Sequence, residues 1–275
     1  MTKLDGKTAL ITGSTDGVGR SVAMQFGAAG ARVLVHGRDE DRGQRVVAGI
    51  RQAGGIAEFL AADLASLAEV RRLADAVRET EARLDILINN AGIGTAGAVR
   101  QVSADGHELR FAVNYLAGFA LTHLLLPLIR NSAPARIVNV ASAGQQAIDF
   151  DDVMLTRGYS GRRAYCQSKL AQIMFTIDLA RELAGSGISV TALHPATYMD
   201  TSMVRRAGVT PMSTVEEGAE AILNLAVSPG IEGRSGRYFN GLREARADPQ
   251  AYDDAARRRL KTISFELTGL AERAR

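Results

Sequence analysis

Short apolar runs alternate along the chain with longer segments whose apolar residues recur every three to four positions. The runs Thr8 to Thr12, Ala31 to Val35, Ala57 to Ala61, Leu84 to Ile88, Arg136 to Val140 and Ile188 to Leu193 are nearly continuous in apolar or β-branched residues, the pattern of strands buried on both faces. Between them, Val18 to Ala29, Glu40 to Gln52, Leu67 to Thr80 and Ala104 to Arg130 have helical spacing and are predicted as the crossover helices of βαβ units. Ser213-Thr214-Val215-Glu216 is a capping-box pattern opening a helix that runs to about Val227, where Ser228-Pro229-Gly230 stops it. Arg237 to Phe239 predicts a last strand and Asp248 to Leu270 a last helix. The prediction is an α/β fold: one doubly wound Rossmann-type domain over residues 1–275, with a central parallel sheet of about seven strands and helices on both faces.

Composition narrows the picture. Of 275 residues, 46% are hydrophobic and 23% charged, enough to bury a core without disulfides or metals. The one cysteine, Cys166, rules out a disulfide framework and a cysteine-based zinc cluster. His36, His107, His123 and His194 are scattered without ligand spacing, so no metal site is expected. Lys+Arg 33 stand against Asp+Glu 30, interleaved without a basic run, which argues against a nucleic-acid surface. Leu121 to Ile129, interrupted by His123 and Pro127, falls short of the ~18 residues of a membrane span. Met1 to Lys7 lacks the apolar segment of a signal peptide, and a cytoplasmic location is the expectation.

The first strand runs into Thr12-Gly13-Ser14-Thr15-Asp16-Gly17-Val18-Gly19. Glycines at a strand-to-helix junction let the backbone turn tightly and approach a pyrophosphate, whose charge then sits on free N–H groups at the helix N-terminus. An NAD site usually carries an acidic residue at the end of the second strand, but here His36-Gly37-Arg38 follows Val35. Arg38 could offer a 2′-phosphate charge-assisted hydrogen bonds contributing about 1.5–3 kcal/mol each, a preference for NADP(H). In the alternative, Asp39 takes the ribose hydroxyls and NAD(H) serves.

Tyr165 and Lys169 stand four residues apart, one helical turn, and so share a face. Reducing a carbonyl by hydride transfer leaves an alkoxide that needs a proton, and a tyrosine can supply one. A lysine ~4 Å away at an effective dielectric of ~20 contributes roughly 4 kcal/mol, about three pKa units, which would bring the phenol toward neutrality. The strand Arg136 to Val140 leads into Ala141-Ser142, and ligands of open α/β sheets collect at strand C-terminal ends.

With the glycine turn, Ser142 and the Tyr165/Lys169 pair together, the sequence resembles the short-chain dehydrogenase/reductase family over almost its whole length. It looks most like the retinol-dehydrogenase-like branch, in Asp105-Gly106-His107-Glu108-Leu109, Asn114-Tyr115-Leu116, Ala133 to Val140, Ile148 to Asp152 and Tyr165-Cys166-Gln167-Ser168-Lys169-Leu170. The resemblance implies an NADP(H)-dependent oxidoreductase interconverting a carbonyl and an alcohol, with a nucleotide-binding half of about residues 1–135 and a catalytic and substrate half of about 136–275. Tyr165 would be the general acid/base, Lys169 would hold the nicotinamide ribose and lower the tyrosine pKa, Ser142 would orient the substrate oxygen, and Asn114 would hold a relay water. Gly13, Ser14, Thr15, Gly17, Val18 and Gly19 would cradle the pyrophosphate; Asp63 and Leu64 would flank the adenine; Asn90, Ala91 and Gly92 would line the adenosine ribose. Pro195 would stand by the nicotinamide.

The chain departs from the family pattern after the sixth strand. His194-Pro195-Ala196-Thr197 has Ala where glycine is usual, and Asp200 occupies the place of the threonine that holds the nicotinamide amide. Thr201 is the favoured substitute and Thr197 the other. The loop from Ser142 to Tyr165 and the segment Thr201 to Pro211 would wall the substrate site, with Met199, Met203, Val204, Val209 and Met212 suggesting an apolar small-molecule substrate. Homo-oligomers pairing through Ala104 to Arg130 and Ser160 to Ala184 are usual in the family.

Overall fold

The computed structural model describes residues 3–97 and 99–272. Eight strands form a single sheet in the order β3-β2-β1-β4-β5-β6-β7-β8. They are β1 (Thr8–Ile11), β2 (Arg32–Gly37), β3 (Ile56–Ala61), β4 (Ile86–Asn89), β5 (Ala135–Val140), β6 (Ile188–His194), β7 (Tyr238–Asn240) and β8 (Arg243–Ala245). The neighbours from β3 to β7 pair in parallel, and β8 returns antiparallel on β7. The chain order reverses at β1 and β4, the switch point where doubly wound sheets bind ligands.

Alternate residues of the inner strands feed two cores, whereas at the edges β3, expected to be buried on both faces, has only Ala57 buried and β8 has no buried residue. Ala9, Ile11, Val33, Val35, Ile86, Ile88 and Val138 face α1 (Gly17–Ala28), α2 (Glu40–Gln52) and α8 (Val215–Val227). Leu10, Leu34, Leu87 and Ile137 face α3 (Leu67–Thr80), α5 (Ala117–Asn131), α6 (Gly161–Glu182) and α9 (Asp254–Thr268). A residue buried on either face explains the unbroken apolar runs.

The segment expected as one helix from Ala104 is divided. Ser103 Oγ accepts from Asp105 N and His107 N, both at 3.2 Å, and Gly106 turns at φ +81°, so helix starts only with α4 (Leu109–Phe111). A π-turn over Ala112–Leu116 then joins α4 to α5. The joined helix Leu109–Asn131 has 23 residues, and its most apolar 18-residue window has mean hydropathy 1.6. This corrects the expectation that no apolar stretch has the length of a membrane span. The helix is also a core element, with 61% of its most apolar window buried in the fold, and a soluble core helix meets the same criterion of length and hydropathy.

Nor does the last helix begin at Asp248: Asp248-Pro249 opens a 3₁₀ turn over Pro249–Tyr252, and Asp253 caps α9 by accepting from Ala255 N (2.8 Å) and Ala256 N (3.2 Å). α9 packs on α6 and against aromatic side chains of α5, two of the helices that the resemblance links to homo-oligomers. Phe265 meets Phe119 edge-on and His123 at a tilt, with centroids 5.1 Å from each, and Tyr115 Oη is hydrogen-bonded to Ser264 Oγ at 2.7 Å.

Arg257 anchors α9. Its side chain is almost fully buried, donating through Nε to Asp178 Oδ1 (2.7 Å), through Nη1 to Ala251 O (2.7 Å), and through Nη2 to Asp254. Arg257→Met strips partners from two carboxylates, and removing one side of a buried pair costs about 3–5 kcal/mol. Because Asp178 is 21% exposed, a loss near about 3 kcal/mol is expected, read as a lower denaturant midpoint in equilibrium unfolding.

Candidate active site

The glycine turn is built between β1 and β4. Thr12 Oγ1 accepts from Asn90 N (2.9 Å) and Ala91 N (3.0 Å), and Asn90 Nδ2 returns bonds to Thr12 O (2.8 Å) and Gly13 O (3.1 Å). Gly13 and Gly17 adopt φ +65° and +53°, which side-chain-bearing residues rarely take. A Cβ on Gly19 would stand 2.4 Å from Gly13 O and 2.5 Å from Asn90 Nδ2. The result is a cradle closed to side chains and floored by backbone, with Asp16 capping α1, a shape that fits a pyrophosphate.

Not every predicted cradle residue faces the cleft. Ser14 is fully buried, its Oγ donating to Ile11 O (2.7 Å) and accepting from His36 N (3.0 Å). Val18 packs into the α1 core. Thr15 lies against Gly37, where a Cβ would come within 2.5 Å of it.

Sequence reading missed Thr12 and His36. His36 Nδ1 accepts from Gly13 N at 3.1 Å, and burial lowers the imidazole to about 4, so near neutral pH it stays an acceptor and fixes the turn. A histidine ending a buried strand beside a glycine turn was the available signal. Arg38 is 70% exposed, with Asp63 Oδ2 3.7 Å from its Nη1. Asp39 is committed elsewhere, accepting from Arg42 N (3.0 Å) at the α2 N-terminus and pairing with Arg42 Nε (3.2 Å). Asp63 Oδ1 accepts from Ala65 N (3.0 Å) while Ser66 caps α3, and Leu64 is buried beside it.

The four predicted catalytic side chains come from the π-turn before α5, from the segment just after β5 and from α6. Asn114 sits in the π-turn, 1% exposed; its Oδ1 accepts from Ile93 N (2.8 Å) and its Nδ2 donates to Ile93 O (3.2 Å) and Ser168 Oγ (3.0 Å). π-turns inside helices often mark functional positions. Gly92 passes close by, with its Cβ position 3.2 Å from Asn114 Oδ1 and 3.5 Å from Lys169 Nζ. Ser142 Oγ accepts from Gly144 N (3.0 Å), and the serine hydroxyl is hydrogen-bonded to the Tyr165 phenol. Tyr238 Oη (3.1 Å) and Gln145 Nε2 (2.9 Å) both donate to Ser142 O, so β7 holds the serine from behind.

Lys169 Nζ lies over the Tyr165 ring, 5.8 Å from its centroid, and donates to Val140 O at 2.8 Å. The electrostatics correct the sequence expectation. Burial raises the Tyr165 phenol, only partly countered by its bond to Ser142, and burial lowers Lys169 to about 7. A lysine that sheds its proton near neutrality opposes a phenolate less than the permanent cation assumed from spacing alone.

The segment after β6 folds over the cleft. Thr197 Oγ1 is bonded to His194 Nε2 at 3.1 Å. Thr201 caps the short helix α7 (Ser202–Arg206), and its methyl lies 3.1 Å from the Cβ position of Gly17, which puts Thr201 at the glycine turn. Ser202 Oγ donates to Asp16 Oδ2 (2.5 Å), and that bond holds the Asp16 carboxyl below its ordinary range. Opposite, Arg110 is a buried cation whose Nε donates to Gly94 O at 2.8 Å, with Ala96 O and Tyr159 Oη also accepting from it. With Asn114 on Ile93, it pins the loop that follows Gly92.

The family pattern described as short chain dehydrogenase matches residues 7–210. The chain belongs to the short-chain dehydrogenase family. Human retinol dehydrogenase 14 is 38% identical over 297 residues, spanning 97% of this chain and 88% of that protein. A solved structure from Mycobacterium paratuberculosis is 30% identical with TM-score 0.79, covering 98% of this chain and 96% of that one. The Pseudomonas aeruginosa RhlG/NADP active-site complex is 32% identical with TM-score 0.72, covering 86% and 95%. This short-chain dehydrogenase therefore groups with the retinol-dehydrogenase-like branch and is an NAD(P)-dependent oxidoreductase.

Proposed function

We propose that the enzyme interconverts an apolar carbonyl compound and its alcohol by hydride transfer with NADP(H), Tyr165 exchanging the proton at the substrate oxygen. The observation that carries this reading is the convergence of Asn114, Ser142, Tyr165 and Lys169 beyond the C-terminal ends of β4, β5 and β6, beside a glycine cradle no side chain can fill. NADPH, when bound, supplies the hydride. The Ser142 hydroxyl orients the carbonyl oxygen toward the Tyr165 phenol; Lys169 and Asn114 carry the proton traffic behind it. Residues 1–135 would hold most of the nucleotide and residues 136–275 most of the catalytic and substrate groups, Asn114 crossing that division.

Arg38 supports NADP(H) over NAD(H): it is open to solvent where a 2′-phosphate would lie, whereas Asp39 is spent on capping α2. Tyr198, Met203 and Met212 are exposed large apolar side chains on the segment after β6, and the retinol dehydrogenases among the relatives act on an apolar alcohol by name. Paired fluorescence titrations should show NADPH binding tighter than NADH by about one to two decades, from one or two charge-assisted hydrogen bonds. Arg38→Ala should remove that preference and leave NADH affinity unchanged. Unchanged NADPH affinity in Arg38→Ala would return the ribose contact to Asp39.

A further inference from the structure

Lys169 enters the site from the middle of α6 with its ammonium enclosed. One N–H goes to Val140 O; a second goes to Gln172 Oε1 at 2.9 Å. Gln172 is 4% exposed, on a stretch of helix whose neighbours Ala171, Ile173 and Met174 are all buried core. An amide in such a place is costly unless it is hydrogen-bonded, and its bond here is to the one lysine at the reaction centre. Thr176 Oγ1 donates to the Gln172 backbone carbonyl (2.8 Å), steadying that turn of the helix.

We propose that Gln172 is a positioning residue for the proton step: its side-chain oxygen holds the Lys169 ammonium in place and sets how readily that amine gives up its proton. This rests on the reading of Tyr165 and Lys169 as the proton-carrying pair. When Tyr165 gives its phenolic proton to the developing alkoxide it is left a phenolate, and a cationic Lys169 opposes that charge. The titratable groups acting on the pair are His194 from β6, which the Lys169 charge pushes further down, Tyr238 from β7, Tyr198 from the segment after β6, and Cys166 from α6 itself. None of these is a carboxylate, so the neutral oxygens of Val140 and Gln172 are what stabilise the cation.

The sequence contains four lysines, Lys3, Lys7, Lys169 and Lys261, so ε-carbon NMR of ¹³C-lysine-labelled protein without cofactor resolves the Lys169 titration directly, the signal being the one absent from Lys169→Met. Gln172→Glu places a negative charge where the amide oxygen was, every proton on the pair is then held more tightly, and the midpoint should rise by about one pH unit or more. Gln172→Met keeps the length and removes the acceptor, and the midpoint should fall by about half a unit or more. The alkaline limb of NADPH-dependent benzaldehyde reduction should move in the same opposite directions. Midpoints that stay put, or that shift the same way in both variants as loosened packing would produce, overturn the proposal. Opposed NMR shifts without benzaldehyde turnover in the wild type would support the hold on Lys169 and count against benzaldehyde as a substrate instead.

Discussion

Tyr165→Phe is expected to lower kcat/KM for carbonyl reduction by about 10²–10⁴-fold, the range that a positioned general acid supplies. NADPH affinity should stay within about threefold of wild type, because the deletion removes one oxygen and adds nothing. The ring stays, with the Lys169 ammonium over it, so the local packing survives. What is lost is the hydroxyl bonded to Ser142, the group that would face the substrate oxygen. Burial holds the phenol above its ordinary pKa, so the resting enzyme carries the proton that reduction requires throughout the neutral range. Steady-state kinetics beside a fluorescence titration separate the two effects. A variant that keeps even a tenth of the wild-type rate while binding NADPH normally would remove Tyr165 from the proton step.

Gly19→Ala should act on the opposite arm of the site. The added methyl would stand 2.4 Å from Gly13 O, a backbone atom held in the turn by the Asn90 amide, and neither can retreat without opening the Thr12–Asn90 ties between β1 and β4. Forcing a methyl into such a space costs about 1–3 kcal/mol, and the turn can relieve it only by moving where the pyrophosphate would sit. NADPH binding should therefore weaken by about 10- to 100-fold, with a fall in Tm of a few degrees. Gly144→Ala provides the control, since its nearest contact is an ordinary 3.5 Å to Ser142 Oγ. Wild-type NADPH affinity in Gly19→Ala would mean that the turn is not the phosphate cradle.

Much of the fold was readable in the residues because each buried strand is apolar on both faces and each helix keeps its three-to-four spacing. The misplaced boundaries share a cause. At Ser103-Ala104-Asp105-Gly106 and at Asp248-Pro249, polar side chains bond backbone N–H groups locally and delay the helix beyond the point where apolar spacing begins. The β7–β8 hairpin had a signal that went unused, Asn240-Gly241, with the glycine at φ +57°. Of the site, the Tyr165/Lys169 pair, Ser142 and the three glycines were legible because spacing and position at strand ends are properties of the chain itself. Thr12, Tyr238 and Gln172 were not, since a threonine, a tyrosine or a glutamine in a buried run gives no sign of which distant group it will meet.

Taken alone, the sequence determined the doubly wound architecture, the glycine turn and the residue types gathered at the candidate site, because apolar periodicity and helical spacing act over a few residues. The tertiary structure alone decided the protonation of those groups and the surfaces around them. Burial, which no local pattern reports, raised Tyr165 and lowered Lys169. The folding of α9 back across α5 and α6 closed a face that the helix pattern left open, and the neutral oxygens of Val140 and Gln172, brought to one amine from a strand end and a helix turn, became the partners of the central lysine. Desolvation and long-range pairing depend on where the whole chain places its mass and its dipoles, and that is settled only when the chain has folded.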